Sequence, residues 1–374
     1  MRRLARSAVL AGACIAVGAS AASAQPIEQF GSYYGGTQYT MPTPTPVEGV
    51  ENVVQLAASN ASSLALDSSG QVWAWGNGQL GELGNGLSRD SLTPVRPRFP
   101  QQPTIVSIGE ARDDSFAIDS TGQLWAWGMN ESGSLCLGTK HHQFAPARVP
   151  GITDAVAVQG AQNHVLILLA NGTVDACGTN SNGQLGVGPG LAETSTPVPV
   201  PGLSGVVEVT AGVLTSAART ESGAVYTWGD NREGQAGTGP GPSSVWEPTQ
   251  IALAGPASEV SCGGDATGTG DDSGFDLALV EGRVYGWGND GHGQIGDLGK
   301  RDRTTPAATN LSFAHVVASG ESAVGLTATG EVLTWGAGNR FALGTGTTLT
   351  SVLPVAIGSG ASLISATAQS TLFY

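Results

Sequence analysis

The feature that most limits how this chain can fold is a seven-residue segment, bracketed by glycines, that occurs six times. The first copy, GQVWAWG, runs from Gly70 to Gly76, and successive copies lie 52, 50, 51, 59 and 48 residues apart. The copies end in Trp75-Gly76, Trp127-Gly128, Cys177-Gly178, Trp228-Gly229, Trp287-Gly288 and Trp335-Gly336. A regular interval of about fifty residues predicts a repeat architecture with one supersecondary unit per interval.

Each copy is predicted to be a short β-strand. In the first, Val72 and Ala74 point one way and Trp73 and Trp75 the other, so both faces are apolar, as in a strand between two neighbouring sheets. Each interval also holds a second glycine-rich turn, a proline 18 or 19 residues after the Trp-Gly glycine, and a short apolar strand that ends in small residues. About four strands per interval indicate one propeller blade.

The two ends of the chain each contain half of a repeat. Residues 363–374 follow the inner-strand pattern, and the chain stops before any Trp-Gly pair. Residues 30–35 resemble a Trp-Gly strand with Tyr34 at the tryptophan position, and Pro46 stands for the later proline. Pairing of the ends would remove two exposed sheet edges. We therefore predict an all-β, seven-bladed β-propeller closed by a composite blade from both termini; the alternative is six blades with frayed ends.

Residues 1–24 have the pattern of a secretory signal peptide. Arg2, Arg3 and Arg6 precede an apolar run over residues 8–17, and the small residues 22–24 offer a cleavage site. We expect this leader to be removed and residues 25–374 to form one propeller domain, exported to the periplasm or the extracellular space. The alternative is a disordered basic tail.

The chain is strongly acidic, with 16 Lys and Arg against 30 Asp and Glu. Loss of the three leader arginines would change the formal net charge from −14 to −17. Nucleic acids and anionic membranes are bound by clustered Lys and Arg, so we expect neither as a partner. A monomer that binds a basic or mixed-charge protein is the prediction.

The Trp-Gly strand, the Gly-Gln-Leu-Gly turn at residues 183–186 and the Pro-Val spacing resemble the RCC1 (regulator of chromosome condensation) repeat over about residues 27–374. The resemblance implies a seven-bladed propeller that acts by binding other proteins, with enzyme inhibition as one form of that function. The family's repeat often carries a histidine after its inner strand. Here only His164 does so, and Ser62, Asp114 and Thr215 stand at that place in other copies.

Taken together, these features predict an exported, non-enzymatic protein-binding scaffold. One alternative is guanine-nucleotide exchange, the activity of the family's namesake, which the leader argues against because small GTPases are intracellular. A second is a hydrolase at the propeller centre. That function would need acids or histidines on several inner strands, where the sequence has mostly Ala, Ser and Gly.

The longest interval contains an acidic insertion of about seven residues within 263–274. It holds Asp265, Asp271 and Asp272, with Asp276 close behind, and oxygen ligands at this density suit Ca²⁺ or a basic partner. A solvated flexible loop is the alternative. Apart from this candidate Ca²⁺ site we expect no cofactor, metal or catalytic residue, because the G-x-G-x-x-G matches at 76–81 and 291–296 lack the βαβ context of a nucleotide site.

Three cysteines remain after the leader. Cys177 stands at the tryptophan position of its repeat and Cys262 aligns with Ile108, so both are expected to fill core volume. A disulfide between Cys136 and Cys177 is compatible with the sequence, which leaves the pairing open.

Overall fold

The structure, a computed structural model, consists almost entirely of short antiparallel strands. It describes residues 26–32, 39–60, 62–264 and 274–374. The predicted leader lies outside these residues. Within them there are 28 strands and one 3₁₀ helix, η1 (Asn339–Phe341). In the described ranges no helix has both the length and the apolar character needed to cross a bilayer.

The strands are numbered in chain order. The first ten are β1 (Ile27–Ser32), β2 (Thr40–Val47), β3 (Val53–Ala58), β4 (Ser62–Asp67), β5 (Val72–Gly76), β6 (Ser91–Val95), β7 (Ile105–Glu110), β8 (Asp114–Asp119), β9 (Leu124–Gly128) and β10 (Gln143–Arg148). The next eight are β11 (Ala155–Gly160), β12 (His164–Leu169), β13 (Val174–Thr179), β14 (Glu193–Pro199), β15 (Val206–Ala211), β16 (Thr215–Thr220), β17 (Val225–Asp230) and β18 (Ser244–Gln250). The last ten are β19 (Ala257–Cys262), β20 (Phe275–Val280), β21 (Arg283–Gly288), β22 (Arg303–Ser312), β23 (His315–Ser319), β24 (Ser322–Leu326), β25 (Val332–Gly336), β26 (Ser351–Gly358), β27 (Ile364–Ala366) and β28 (Ser370–Phe373).

These strands form seven four-stranded antiparallel sheets, the blades of a propeller. Blades 1 to 6 each use four consecutive strands, from β3–β6 to β23–β26, with the first strand innermost. Blade 7 has the order β2-β1-β28-β27 and so joins the two ends of the chain. The predicted seven-bladed fold and its composite closing blade are both confirmed.

The Trp-Gly strand is the third strand of each of blades 1 to 6. Blade 7 differs from the prediction, because Phe30 rather than Tyr34 occupies the tryptophan position. Phe30 is completely buried and pairs with Thr371, and Gly31 has a φ of +113°, close to the +111° of Gly76. Tyr34 lies outside the described residues. The sequence of this segment contains two aromatic–glycine pairs, Phe30-Gly31 and Tyr34-Gly35. The first pair takes the Trp-Gly position because Phe30 packs against the neighbouring blade.

The prediction that Pro46 is the repeat proline of blade 7 is also wrong, by two residues. In blade 1, Ala74 pairs with Val95, which puts Pro94 opposite the tryptophan. In blade 7, Gln29 pairs with Thr45, so the equivalent proline is Pro44. The expected Pro46 lies farther along β2, an edge strand in which the missing proline N–H breaks no ladder bond.

The tryptophans hold neighbouring blades together. Each is buried, and four indole N–H groups donate a hydrogen bond to a carbonyl in the glycine-rich turn of the preceding blade. The pairs are Trp127 with Glu82 (2.8 Å), Trp228 with Gln184 (2.9 Å), Trp287 with Gln235 (3.0 Å) and Trp335 with Gln294 (3.0 Å). A Cβ added at Gly84, whose φ is +61°, would lie 2.8 Å from the Trp127 indole nitrogen, so the turn needs glycine there.

Blades 2 and 3 replace this contact with a covalent one. Cys136 stands where Gly84 stands one blade earlier, and Cys177 takes the place of the tryptophan. The two form a disulfide with a Cα–Cα distance of 5.8 Å, which settles the pairing that the sequence left open. Cys262 is buried and free, as expected for a core residue. Its predicted alignment with Ile108 is wrong, because the strand registers make Glu110 its blade-2 equivalent.

Candidate functional site

The connections between strands divide the surface into two faces. On the loop face lie the links from first to second strand and from third to fourth strand, such as 111–113 in blade 2 and 77–90 in blade 1. On the turn face lie the links from second to third strand and from blade to blade, such as 68–71 and 96–104. The loop face therefore carries the glycine-rich turns and the loops nearest the ring axis.

A cavity of about 290 Å³ lies at the ring axis. All seven innermost strands and the loops that follow them contribute to its wall, so the cavity belongs to the loop face. The inner-strand residue that shares a row with the tryptophan position is small in six blades, as the crowded centre of a propeller requires. These residues are Ala58, Gly160, Ala211, Cys262, Ala318 and Ala366.

In blade 2 that position is Glu110, which is only 4% exposed. Its Oε1 accepts a hydrogen bond from the Ser62 hydroxyl at 3.1 Å. Its Oε2 has no hydrogen-bond partner in the described part of the chain. Burial raises the pKa of Glu110 well above its ordinary value, which favours the protonated, uncharged form of the side chain.

Two arginines also line the cavity. Arg112 belongs to the inner loop of blade 2, and its Nε lies 3.3 Å from Oδ2 of Asp113. Arg340 belongs to η1, in the outer loop of blade 6. Among the cavity-lining residues that the structure describes, these two are the basic ones, and burial raises the pKa of both the Glu110 carboxyl and the Cys262 thiol, which favours their uncharged forms.

The predicted acidic loop begins at this cavity. Gly264 lines the wall, and the segment 265–273 that follows it, with Asp265, Asp271 and Asp272, lies outside the described residues. Its role in binding a cation or a basic partner stays a prediction. In the described ranges no group of three or more His, Cys, Asp and Glu side chains is arranged to hold a metal ion.

Asp276, the fourth acid of the predicted set, lies in a buried strand and not in an exposed loop. Asp276 lies on β20, completely buried, in a row between Cys262 and Trp287. Burial raises its pKa to about 8, although the Cys262 thiol, the Trp287 indole and a backbone amide surround it. It is therefore a neutral group between blades 4 and 5 at neutral pH.

The histidines do not bring acid–base chemistry to the cavity, since none of the five is among its described lining residues. His164 opens β12 opposite Gly178, the place that Ser62, Asp114 and Thr215 occupy in their own blades. It is completely buried, and its Nε2 lies 2.9 Å from the Ser216 hydroxyl. Burial lowers its pKa to about 4.

The sequence reasoning missed Glu110, Arg112 and Arg340. A signal for Glu110 was present, because an acidic residue interrupts a series of Ala, Gly and Cys at equivalent inner-strand ends. Arg340 had no such signal, since it directly precedes a glycine-rich turn, residues 341–344, that has lost its pattern. The meeting of blades 2 and 6 at one cavity is a property of the closed ring.

The family model and the related sequences indicate the same family. The family model described as "RCC1-like domain" matches residues 5–269. Protein pim1 of Schizosaccharomyces pombe is 31% identical over 58% of this chain and 44% of its own length. RCC1 domain-containing protein RUG3, mitochondrial, of Arabidopsis thaliana is 30% identical over 76% of this chain and 64% of its own length. The chain thus spans less than two thirds of the length of these relatives.

Two solved structures share the fold. Prp20p from Saccharomyces cerevisiae, whose structure was described with its binding properties to Gsp1p and histones, has a TM-score of 0.80 at 22% identity, covering 96% of this chain and 92% of that chain. The yeast RCC1 (Prp20) structure with Kap60 bound has a TM-score of 0.81 at 22% identity, covering 100% and 94%.

Proposed function

This chain belongs to the RCC1-like family, and on that premise we propose that it is an exported, non-enzymatic propeller that binds another protein through its loop face. The observation that carries the proposal is the convergence of inner loops from all seven blades around one cavity. A rigid ring lets such loops vary without unfolding the domain, which suits a binding surface. Structures of the related Prp20 protein concern its binding to other proteins, namely Gsp1p, histones and Kap60.

The inter-blade disulfide supports export. Cys136 and Cys177 are joined in a chain with few cysteines, and disulfides persist in oxidising compartments such as the periplasm and the extracellular space. The leader pattern of residues 1–24 points the same way. An exported protein would not meet a cytosolic GTPase, which argues against the alternative of guanine-nucleotide exchange.

The charge balance supports a basic or mixed-charge partner. The chain has a formal net charge of −14, and surfaces of opposite charge attract each other during the approach of two proteins. Salt would then weaken association chiefly by slowing it.

The cavity gives little support to hydrolysis. A nucleophile needs an adjacent base, and the Cys262 thiol is held in its neutral form by burial. Glu110 is the one carboxylic acid among the described lining residues, whereas most glycoside hydrolases use two. These features support a binding role for the cavity.

The first experiment identifies the face that binds. The mature protein is used to capture partners from the exported fraction of the producing organism. The capture is then repeated with the variants Glu131→Cys and Glu221→Cys, each coupled to a polyethylene glycol maleimide. Both glutamates are exposed, but Glu131 lies in a loop-face connection and Glu221 in a turn-face connection, so the pair is matched in chemistry.

We expect the polymer at position 131 to abolish capture and the polymer at position 221 to leave it unchanged. Loss of capture only with the position-221 conjugate would place binding on the turn face. Capture of nothing but a GTPase would favour nucleotide exchange over the proposed role.

A further inference from the structure

The central cavity carries a charge opposite to that of the whole chain. The protein has 14 more acidic than basic residues, yet two of the described residues that line the cavity, Arg112 and Arg340, are basic and only one, Glu110, is acidic. Asp113 offsets part of the charge of Arg112, at 3.3 Å, but does not itself line the cavity. The two arginines therefore attract an anion to the cavity, although the protein as a whole is acidic.

The two arginines approach the cavity from well-separated parts of the ring. Arg112 follows β7 of blade 2, and Arg340 lies in η1 between β25 and β26 of blade 6. Three of the seven blades separate these two positions along one direction and two along the other. A bound group at the axis would thus have a guanidinium on each side, and guanidinium is the side chain best suited to hold carboxylate oxygens.

Glu110 adds to the wall a buried carboxyl group whose raised pKa favours the protonated form. Oε1 is engaged by Ser62, whereas Oε2, in a side chain that is only 4% exposed, has no partner in the described structure. A protonated carboxyl group can donate one hydrogen bond. Oε2 is shielded from solvent in this orientation, so the carboxyl group has to turn toward the cavity to donate to a ligand oxygen, which would remove the free-energy cost of a buried donor without a partner.

The geometry points to the central cavity as a binding site for a single carboxylate-bearing group, held by Arg112 and Arg340 and receiving a hydrogen bond from Glu110. The inference rests on the proposed function, because it names what the loop face recognises. A volume of about 290 Å³ suits a small acid or one acidic residue and is too small for a folded element. The carboxylate could belong to a free metabolite or to an acidic side chain or carboxyl terminus of the partner.

Isothermal titration calorimetry on the full mature protein tests the assignment with matched probes. Succinate and the peptide Ala-Ala-Ala-Glu supply carboxylates, whereas succinamide and the same sequence with glutamine and an amidated end do not. Heat with succinate indicates a free acid as the natural ligand, and heat with the acidic peptide alone indicates a segment of the partner. Equal heat with the neutral probes, or no heat with either acid, overturns the inference.

Three arginine variants locate the site. Arg112→Gln and Arg340→Gln are each expected to weaken binding of the acidic probe about tenfold, the usual effect of losing one charged hydrogen bond. Arg89→Gln is the control, since Arg89 is exposed and does not line the cavity. Equal affinity in all three variants and in the unmodified protein would place the carboxylate elsewhere.

Glu110→Gln tests the protonation state. Glutamine keeps a hydrogen-bond donor at this position, so binding should stay within about threefold. If Glu110 were ionised, removing its charge would strengthen carboxylate binding tenfold or more, and the assigned role of Glu110 would be wrong. Partner capture that is unaffected by Arg112→Gln/Arg340→Gln, in a protein that gives no heat with succinate, would refute the cavity site while leaving the proposed function in place.

Discussion

Asp276 is a carboxylic acid in a position where its blade-2 equivalent is a serine. Ser115, in the same row as Trp127, donates a hydrogen bond to the Glu82 carbonyl at 3.0 Å. A neutral Asp276 can likewise donate, whereas an ionised one cannot, and burial raises its pKa to about 8. The sequence placed Asp276 with the acidic loop because the two are adjacent in the chain. The register of β20 against Trp287, which buries the side chain, depends on the assembled blade.

This burial predicts a pH effect on stability. Because the folded pKa of Asp276 exceeds its unfolded value of about 3.9, the folded state holds the extra proton, and stability falls as pH rises from about 4 to 8. We expect Asp276→Asn to lose this slope and to melt at least about 2 °C above the unmodified protein at pH 9, as measured by calorimetry. The control is Asp119→Asn, for which the expected pH dependence of stability has the opposite sign. Burial raises the pKa of Asp119, but hydrogen bonds from Thr121 and Trp125 outweigh burial and lower the pKa. Replacing the Asp119 carboxylate should therefore destabilise the protein above pH 4 and have little effect in acid. Parallel curves for Asp276→Asn and the unmodified protein would contradict the assignment.

At the scale of elements, the disulfide and the tryptophan contact are alternative ways to join two blades. Cys136 and Cys177 close a loop with a sequence separation of 41, which corresponds to about 4 kcal/mol of stabilisation in the loop-entropy account. We expect Cys136→Gly/Cys177→Ala to lose about that much, read as a lower urea midpoint. Cys136→Gly/Cys177→Trp should recover most of it, because glycine restores the turn and the indole can donate to the Ser134 carbonyl, the equivalent of Glu82.

On the Cys136 side of the disulfide, the structure leaves room for a larger side chain. A cleft of about 270 Å³ lies beside the disulfide, lined by Cys136, Pro150, Ile152 and Pro197 among others. Reductant should lower the urea midpoint of the unmodified protein and leave that of the Gly/Trp variant unchanged. A Gly/Trp variant no more stable than the Gly/Ala variant would mean that the two contacts are not interchangeable.

The strands were predictable from the repeat period, since each copy repeats the same local pattern. It did not predict the disulfide, because one Gly-to-Cys and one Trp-to-Cys change are informative only when the turn of one blade is known to touch the next.

At the scale of the molecule, the period and the two half repeats were sufficient to predict seven blades and the composite closure. The exact register of that closure was not predictable from local pattern, as Phe30 shows, because two aromatic–glycine pairs satisfied it equally well. The cavity and its two arginines were also not predictable from the sequence, because the arginines come from blades that meet only when the ring is closed. Closure is thus the step that turns a linear repeat into a binding site, and it depends on the pairing of β1 with β28.

Two glycines, one in β1 and one in the connection between β2 and β3, allow that pairing to be tested without truncating the chain. Gly31 and Gly49 both have positive φ, +113° and +90°, so alanine costs about 1–2 kcal/mol of backbone strain at either. A Cβ at Gly31 would also lie 2.1 Å from the Gln369 carbonyl oxygen across the closure, whereas a Cβ at Gly49 meets nothing within 4 Å. We therefore expect Gly31→Ala to lower the free energy of unfolding by a further 1–3 kcal/mol, the cost of overpacking, relative to Gly49→Ala. Urea titration of both variants measures the difference. Equal losses would show that the two ends of the chain do not meet as described, and the cavity they enclose would have to be reconsidered with them.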